Sequence, residues 1–413
     1  MRYWWLAATS VGAVLLLGPH AASAGWPSLD DVAKRAHHYA PTLAEARGQV
    51  SAAKGLLEGA RAPALQNPYV EVFTDRGRET KDLAVQANFW IPIELAGQRG
   101  ARIDEAQRMI QWRSVNLLDA QSRSLGEAVV AYGDVLILSA RLEQAKRGES
   151  EAKAEVDFYA GRLAVGDTTI YEKSIAEAEL GRWVQARVEM EVALVQARAR
   201  LEQVTGFTDV TPPPTIAAAP PALRTPYSIN HRATADHRNW IERLPAIAAL
   251  NSEEHFWLSS ADRARAERSV PINFIVSLGR GDAGETRVGG GLSWTFPLLQ
   301  RNHGPITRAH AERARVAEVR FCLVRVLESR VRSLYETLQA AQKAVDAIDT
   351  TSIPAAERVV AAAAEGHRAG KVEALKVFIA RRDLATSRGR RLDLVATAWR
   401  TYGKIAALRG ELP

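Results

Sequence analysis

The chain has 413 residues, 47% of them hydrophobic and 24% charged, with a formal net charge of +7. That composition excludes a disordered chain, and the length allows two or three ordinary domains or one large repetitive one. Lysine and arginine alternate with acids over the whole length, so the basic balance reads as a solvated helical surface and no nucleic-acid partner is expected.

At the N-terminus, Arg2, the apolar run WWLAATSVGAVLLLG and the small residues ASA at 22–24 predict a secretory signal peptide over 1–24. The alternative, a membrane anchor, needs a run of about 20 apolar residues. The single cysteine, Cys322, allows no intramolecular disulfide. Residues 28–64 read as one helix, with Asp30 and Asp31 in its first turn and Leu29, Val32, Ala36, Leu43, Ala46 and Val50 as its apolar stripe.

Two strands are predicted next, YVEVF at 69–73 and DLAVQANFWIPI at 82–93. The second alternates, with Leu83, Val85, Ala87, Phe89 and Ile91 on one face. From Gln98 to about Gly161 there is no proline and the residues favour helix, which gives a rod of roughly 95 Å. A turn at 160–169, capped by Asp167 or Thr168, leads into a helix to about Val204. The segment DVTPPPTIAAAPPALRTP reads as a linker.

The order then returns. A helix at 246–267 precedes a strand at 271–279 with Ile272, Phe274, Val276 and Leu278 on one face. A second strand at 287–298 has Val288, Leu292, Trp294 and Phe296 on one face. A long helix to about Glu365, interrupted at Pro354, a turn at 365–374 and a last helix complete the chain. Pro297 follows Pro92 by 205 residues (297 − 92 = 205), and Gly370 follows Gly166 by 204 (370 − 166 = 204). The chain is therefore read as an internal duplication, with a first repeat over 25–208, a proline-rich linker over 209–243 and a second repeat over 244–413.

Four strands with an apolar face cannot close alone, and open edges are not tolerated in lipid. Three chains would supply twelve strands, an even number as in bacterial barrels. Proline cannot donate to a sheet ladder, so Pro92 and Pro297 are expected to end their strands, with helices starting at 97–100 and 302–304. The fold class expected is mainly α with a small β part: a duplicated long-helix α-barrel, with four strands per chain contributing to a trimeric transmembrane β-barrel. Leu83, Val85, Phe89, Phe274, Val276 and Leu292 are the expected lipid-facing strand residues, with Val85 and Leu292 near the middle of the barrel wall.

This arrangement resembles the TolC-type outer-membrane efflux family. The residues that carry the resemblance are PIELAGQRGARIDEA and PLLQRNHGPITRA, with NPYVEV and the two glycine-bearing turns. The strand–helix junction residues within them are Pro92, Gly97, Arg99, Pro297, Asn302 and Gly304. The resemblance implies a homotrimer in the outer membrane with a helical tunnel across the periplasm. It would act as an exit duct for an inner-membrane efflux pump joined through a periplasmic adaptor. The junction forms look most like the heavy-metal cation branch. The alternatives are an exit duct for drugs or type I protein secretion, and a periplasmic coiled-coil scaffold.

By the same resemblance, the adaptor-docking tip would comprise Gly161, Arg162, Leu163, Gly166 and Asp167 in one half and Gly366, Arg368, Gly370, Lys371 and Val372 in the other. Well-known members carry an acidic pair just after the second turn, where this chain has Lys376 and Ile379. No nucleophile elbow, zincin pattern or phosphate loop is present, so neither catalysis nor a cofactor is expected. His37–His38 and His303/His310 lack ligand spacing, so no resident metal site is expected. Trp90 and Trp294, read as standing at matching distances from the two prolines, are candidates for an interfacial aromatic girdle.

Overall fold

The structure, a computed structural model, describes residues 26–76, 83–208, 218–223, 240–281, 285–299 and 301–413. The predicted signal peptide and most of the proline-rich linker lie outside the described residues.

Helix α1 (Leu29–Ala36) is capped by Ser28, whose hydroxyl accepts the Asp31 N–H at 3.1 Å. The single helix expected over 28–64 is two. Helix α2 (Pro41–Ala60) begins at a proline, and Ala40 before it is extended at ψ 138. The proline ring forbids α geometry to the residue before it, which is what breaks the rod.

Strands β1 (Tyr69–Arg76) and β2 (Leu83–Ile93) form the first hairpin. Helix α3 (Gln98–Ala164) follows without a break for 67 residues, about 100 Å. Helix α4 (Ile170–Thr205) returns beside it. After the linker, α5 (Pro245–Ala266), β3 (Ile272–Arg280) and β4 (Thr286–Trp294) repeat the order. Helix α6 (His303–Ala347) then runs through a five-residue π segment (Ile348–Ser352) into α7 (Ile353–Arg368), and α8 (Ala374–Arg409) returns.

The strand ends differ from expectation. Pro92 lies inside the ladder, opposite Asn273, and β2 runs one residue further. β4 stops at Trp294, three residues short of Pro297. The interruption expected at Pro354 is centred on the π segment before it. There the Ile353 N–H bonds to the Ile348 carbonyl five residues back. In a regular helix the Pro354 ring would strike the Thr350 carbonyl, and the widened turn removes that clash.

The sheet order is β1-β2-β3-β4, all antiparallel. The largest core lies partway down the helices, where α1, α3, α4, α6 and α8 bury Val32, Leu125, Val129, Leu201, Leu338 and Ile405 together. An aromatic chain runs through it, Trp26 to Tyr132 at 4.8 Å and Tyr132 to Trp399 at 5.6 Å. The backbones of α3 and α8 approach closely at Gly126 and Gly403. A Cβ on Gly126 would stand 2.4 Å from that of Ala407.

Each long helix leaves the sheet through a residue in left-handed geometry. Gly97 (φ 77) caps α3 and Asn302 (φ 53) caps α6, at the duplication offset (302 − 97 = 205). Gly304 already lies inside α6, with open space around it. At the first junction Arg102 donates to both Glu94 oxygens at 2.8 and 2.9 Å and to the Ala62 carbonyl at 3.3 Å. Glu94 also accepts the Leu65 N–H at 3.0 Å. Both ionic side chains are buried, 4% and 3% exposed. The corresponding position in the second half is Leu299, almost fully exposed. Here Asn302 Nδ2 donates to the Ala264 carbonyl at 3.2 Å.

The buried pair sets a clear expectation. Arg102→Ala strands the Glu94 carboxylate and is expected to cost about 3–5 kcal/mol, whereas Arg102→Met with Glu94→Leu costs less. Denaturant midpoints of the two variants beside the parent check the order.

Candidate functional site: the two-faced sheet and the helical tip

In an antiparallel pair, opposed residues share a face. The register therefore sorts every strand residue. One face holds Val70 and Val72, then Leu83, Val85, Ala87, Phe89, Ile91 and Ile93, with Thr74, Arg76, Arg280 and Thr286 at its hairpin end. It continues with Ile272, Phe274, Val276 and Leu278, and with Val288, Leu292 and Trp294. Its large side chains stand in solvent: Val288 is 74% and Leu292 73% exposed. The opposite face carries Glu71, Phe73, Asp75, Gln86, Asn88, Asn273, Ser277 and Arg287, with Gly279, Gly289 and Gly291 and the apolar row Tyr69–Trp90–Ile275. All six strand residues singled out in the sequence fall on the apolar face.

Height along the strands differs from expectation for two of them. Val85 sits opposite Thr74 and Arg280, toward the hairpin end, and Leu292 sits opposite Phe274, toward the helices. The central row is Val70–Phe89–Val276–Gly290. Trp90 and Trp294 lie on opposite faces. Trp294 is on the apolar face 4.4 Å from Phe296, whereas Trp90 stacks on Tyr69 on the polar face, 5.5 Å between centroids. Trp90 precedes its proline by two residues and Trp294 by three, and an odd difference flips the side of a pleated strand.

At the far end of the helices lie the two turns. In the first, Gly166 takes φ 77 and its N–H bonds the Leu163 carbonyl at 3.1 Å. Arg162 ties the turn through Asp167, Nε to Oδ2 at 2.8 Å. Asp167 is thus engaged, and Thr168 is not the cap either. Thr169 caps α4 in a capping box with Glu172. Gly161 is not in the turn, being still helical in α3.

In the second, Gly370 takes φ 68, and the Lys371 N–H reaches the Gly366 carbonyl at 2.8 Å. Gly366 is helical, and a Cβ there would stand 2.5 Å from Val372 Cγ2. Arg368 ends α7, and neither it nor Lys371 makes an ion pair among the described residues.

Sequence reasoning missed what joins the turns. His367 Nδ1 lies 2.9 Å from the Val372 carbonyl and must donate to it, so Nε2 accepts from the Tyr159 hydroxyl at 3.3 Å. Burial first, and the Glu172 carboxylate second, hold the Tyr159 phenol above its ordinary range, so it keeps its proton. Tyr159, Ala176 and Ala374 form a small core with Val156 and Phe378. Val165, Ile170 and Tyr171 stand exposed around it. Only the HR dipeptide after Gly366 signalled a polar side chain near the turn.

Among the described residues no group of three or more His, Cys, Asp or Glu is placed to hold a metal. No helix there is long and apolar enough to cross a membrane. Exposed apolar side chains line one whole face of the sheet, and a smaller set stands at the tip.

The fold is that of the TolC-type outer-membrane channels. The chain superposes on the outer-membrane channel CmeC of Campylobacter jejuni with a TM-score of 0.74 at 13% identity, over 93% of this chain and 86% of that one. More particularly, it is 26% identical over 384 residues to the cobalt-zinc-cadmium resistance protein CzcC of Cupriavidus metallidurans, covering 89% of this chain and 86% of that protein. It is 28% identical over 341 residues to the nickel and cobalt resistance protein CnrC of the same organism, covering 78% and 76%. No protein-family model matches.

His367→Ala removes both side-chain links of the second turn. It is expected to speed proteolysis within 365–373 severalfold, since local opening free energy falls with each lost hydrogen bond of about 1 kcal/mol. Cleavage rates mapped by mass spectrometry test this, and equal rates in parent and variant would show that the link holds nothing.

Proposed function

We propose that this protein is the outer-membrane exit duct of a tripartite efflux system for heavy-metal cations. Its partners are a periplasmic adaptor and an inner-membrane pump. The observation that carries the reading is the sheet: one face is apolar and exposed, the other polar, and both edges are open.

A strand of 11 residues at about 3.3 Å each, tilted about 40°, covers the ~25 Å apolar band of a membrane barrel. Backbone groups on the free edges of β1 and β4 must be paired in lipid. Two chains would give eight strands, whose interior side chains fill the lumen. Three give twelve and a water-filled channel, so the duct is a homotrimer. Leu83, Val85, Phe89, Phe274, Val276 and Leu292 then meet lipid, and α3, α4, α6, α7 and α8 form a periplasmic tube about 100 Å long. The duct passes cargo without chemistry of its own. The metal-resistance relatives support a metal cargo, with the ions as substrate.

The tip is the adaptor's docking site in this reading. It comprises the turns at Gly166 and Gly370 with Arg162, Leu163, Asp167, Arg368, Lys371 and Val372. It lies farthest from the sheet and exposes Val165, Ile170 and Tyr171, apolar side chains that need cover.

Two experiments test the reading. Solubilised protein is expected to hold three chains per particle by light scattering. Phe89→Arg, in the central row, is expected to weaken the trimer by about 2–4 kcal/mol per chain. A detergent-free monomer would instead favour a soluble periplasmic scaffold. For docking, Gly166→Trp with Gly370→Trp is expected to abolish cellular resistance to cobalt, zinc or cadmium at unchanged trimer level. Retained resistance would make the turns mere connectors.

A further inference from the structure

The polar face of the sheet has an internal order that the duct reading does not use. From the hairpin end toward the helices its rows are Phe73–Gln86–Gly279–Arg287, then Glu71–Asn88–Ser277–Gly289, then Tyr69–Trp90–Ile275–Gly291. Glu71 is the single charge of the middle row. On the apolar face the rows on either side are Val72–Ala87–Leu278–Val288 and Val70–Phe89–Val276–Gly290. Glu71 therefore stands level with the centre of the apolar band.

We infer that Glu71 sets the charge preference of the lumen and makes the pore favour cations at mid-depth of the membrane. The inference rests on the duct reading, because only a closed sheet turns this face into a lumen.

Glu71 has no ion-pair partner among the described residues. The one described cation on the polar face, Arg287, lies one row nearer the hairpin end and has its own carboxylate, Glu285, at 3.9 Å. The Tyr69–Trp90 stack forms an aromatic shelf immediately on the helix side of Glu71. That shelf, with the lipid-facing wall behind, lowers the local dielectric and strengthens the field of the carboxylate. Asn88, nine-tenths buried, is held by Gln86 Nε2 at 2.9 Å, so amide and hydroxyl groups flank the carboxylate in a fixed wall. Across the sheet Gly289 and Gly291 carry no side chain, which leaves room for hydrated ions. Three chains bring three Glu71 carboxylates to one level, a ring of the kind that selects cations. At the tip, Lys371 lies in the second turn and Lys376 and Ile379 follow it, all exposed.

The test is electrical. Purified trimer is placed in planar bilayers across a potassium chloride gradient, and the potassium-to-chloride permeability ratio is read from the reversal potential. The parent ratio is expected above one. Glu71→Gln is expected to lower it roughly threefold or more, and Glu71→Lys to reverse it. Asp75→Asn, at the wet hairpin end, is expected to change it much less. Glu71→Ser serves as second neutral variant should the glutamine form assemble poorly. A conducting neutral variant with the parent ratio overturns the assignment of Glu71 and leaves the duct intact. An anion-preferring parent overturns it as well. A parent trimer that does not conduct removes the duct itself, and the inference with it.

Discussion

Unpaired backbone at a sheet edge is the constraint on which the rest of this molecule depends. Each free N–H or carbonyl in hydrocarbon costs several kcal/mol, and β1 and β4 present a whole row of them. With the apolar face outward, closure can come only from further copies of the same strands. Because every strand pair runs straight into a long helix, closing the sheet also sets the helices side by side. In the proposed duct, the tube thus follows from the barrel. The joints that transmit this order are few: the left-handed caps Gly97 and Asn302, and the buried Arg102–Glu94 pair beside the first of them.

Much of this was legible because it is periodic. Alternation from Leu83 to Ile91 gave β2 and its apolar face, and the proline-free run after Gln98 gave α3 almost to its last residue. The repeat of prolines and glycines at near-constant offset exposed the duplicated order. What failed was local stereochemistry that periodicity does not encode. Pro41 split a helix whose apolar stripe looked continuous. Thr169 won the cap because Glu172, three residues on, completes the box, while the nearer Asp167 is drawn to Arg162. Heights failed for a different reason. They depend on pairing between strands some 200 residues apart, so the central position of Phe89 cannot be read from one strand alone.

The two halves share a plan without sharing its supports. The first junction is held by a buried ion pair, the second by an asparagine amide, and Leu299 stands exposed where Glu94 is buried. The tip is asymmetric too. Its first turn is closed by an ion pair within itself, and its second by His367, which reaches across to Tyr159, 208 residues earlier in the chain. Such contacts bind one repeat to the other. They give each half a fixed partner, where identical repeats would leave the pairing ambiguous.

The π segment before Pro354 has a mechanical meaning. Helix α3 is a single rod, whereas its counterpart is two rods joined by a widened turn. A continuous rod carries a bending moment along its full length, and a jointed one relaxes it at the joint. In a tube assembled from such chains, stiff and compliant staves alternate around the wall. A sideways load at the tip is then partly taken up at the level of the joint, and less of it reaches the sheet.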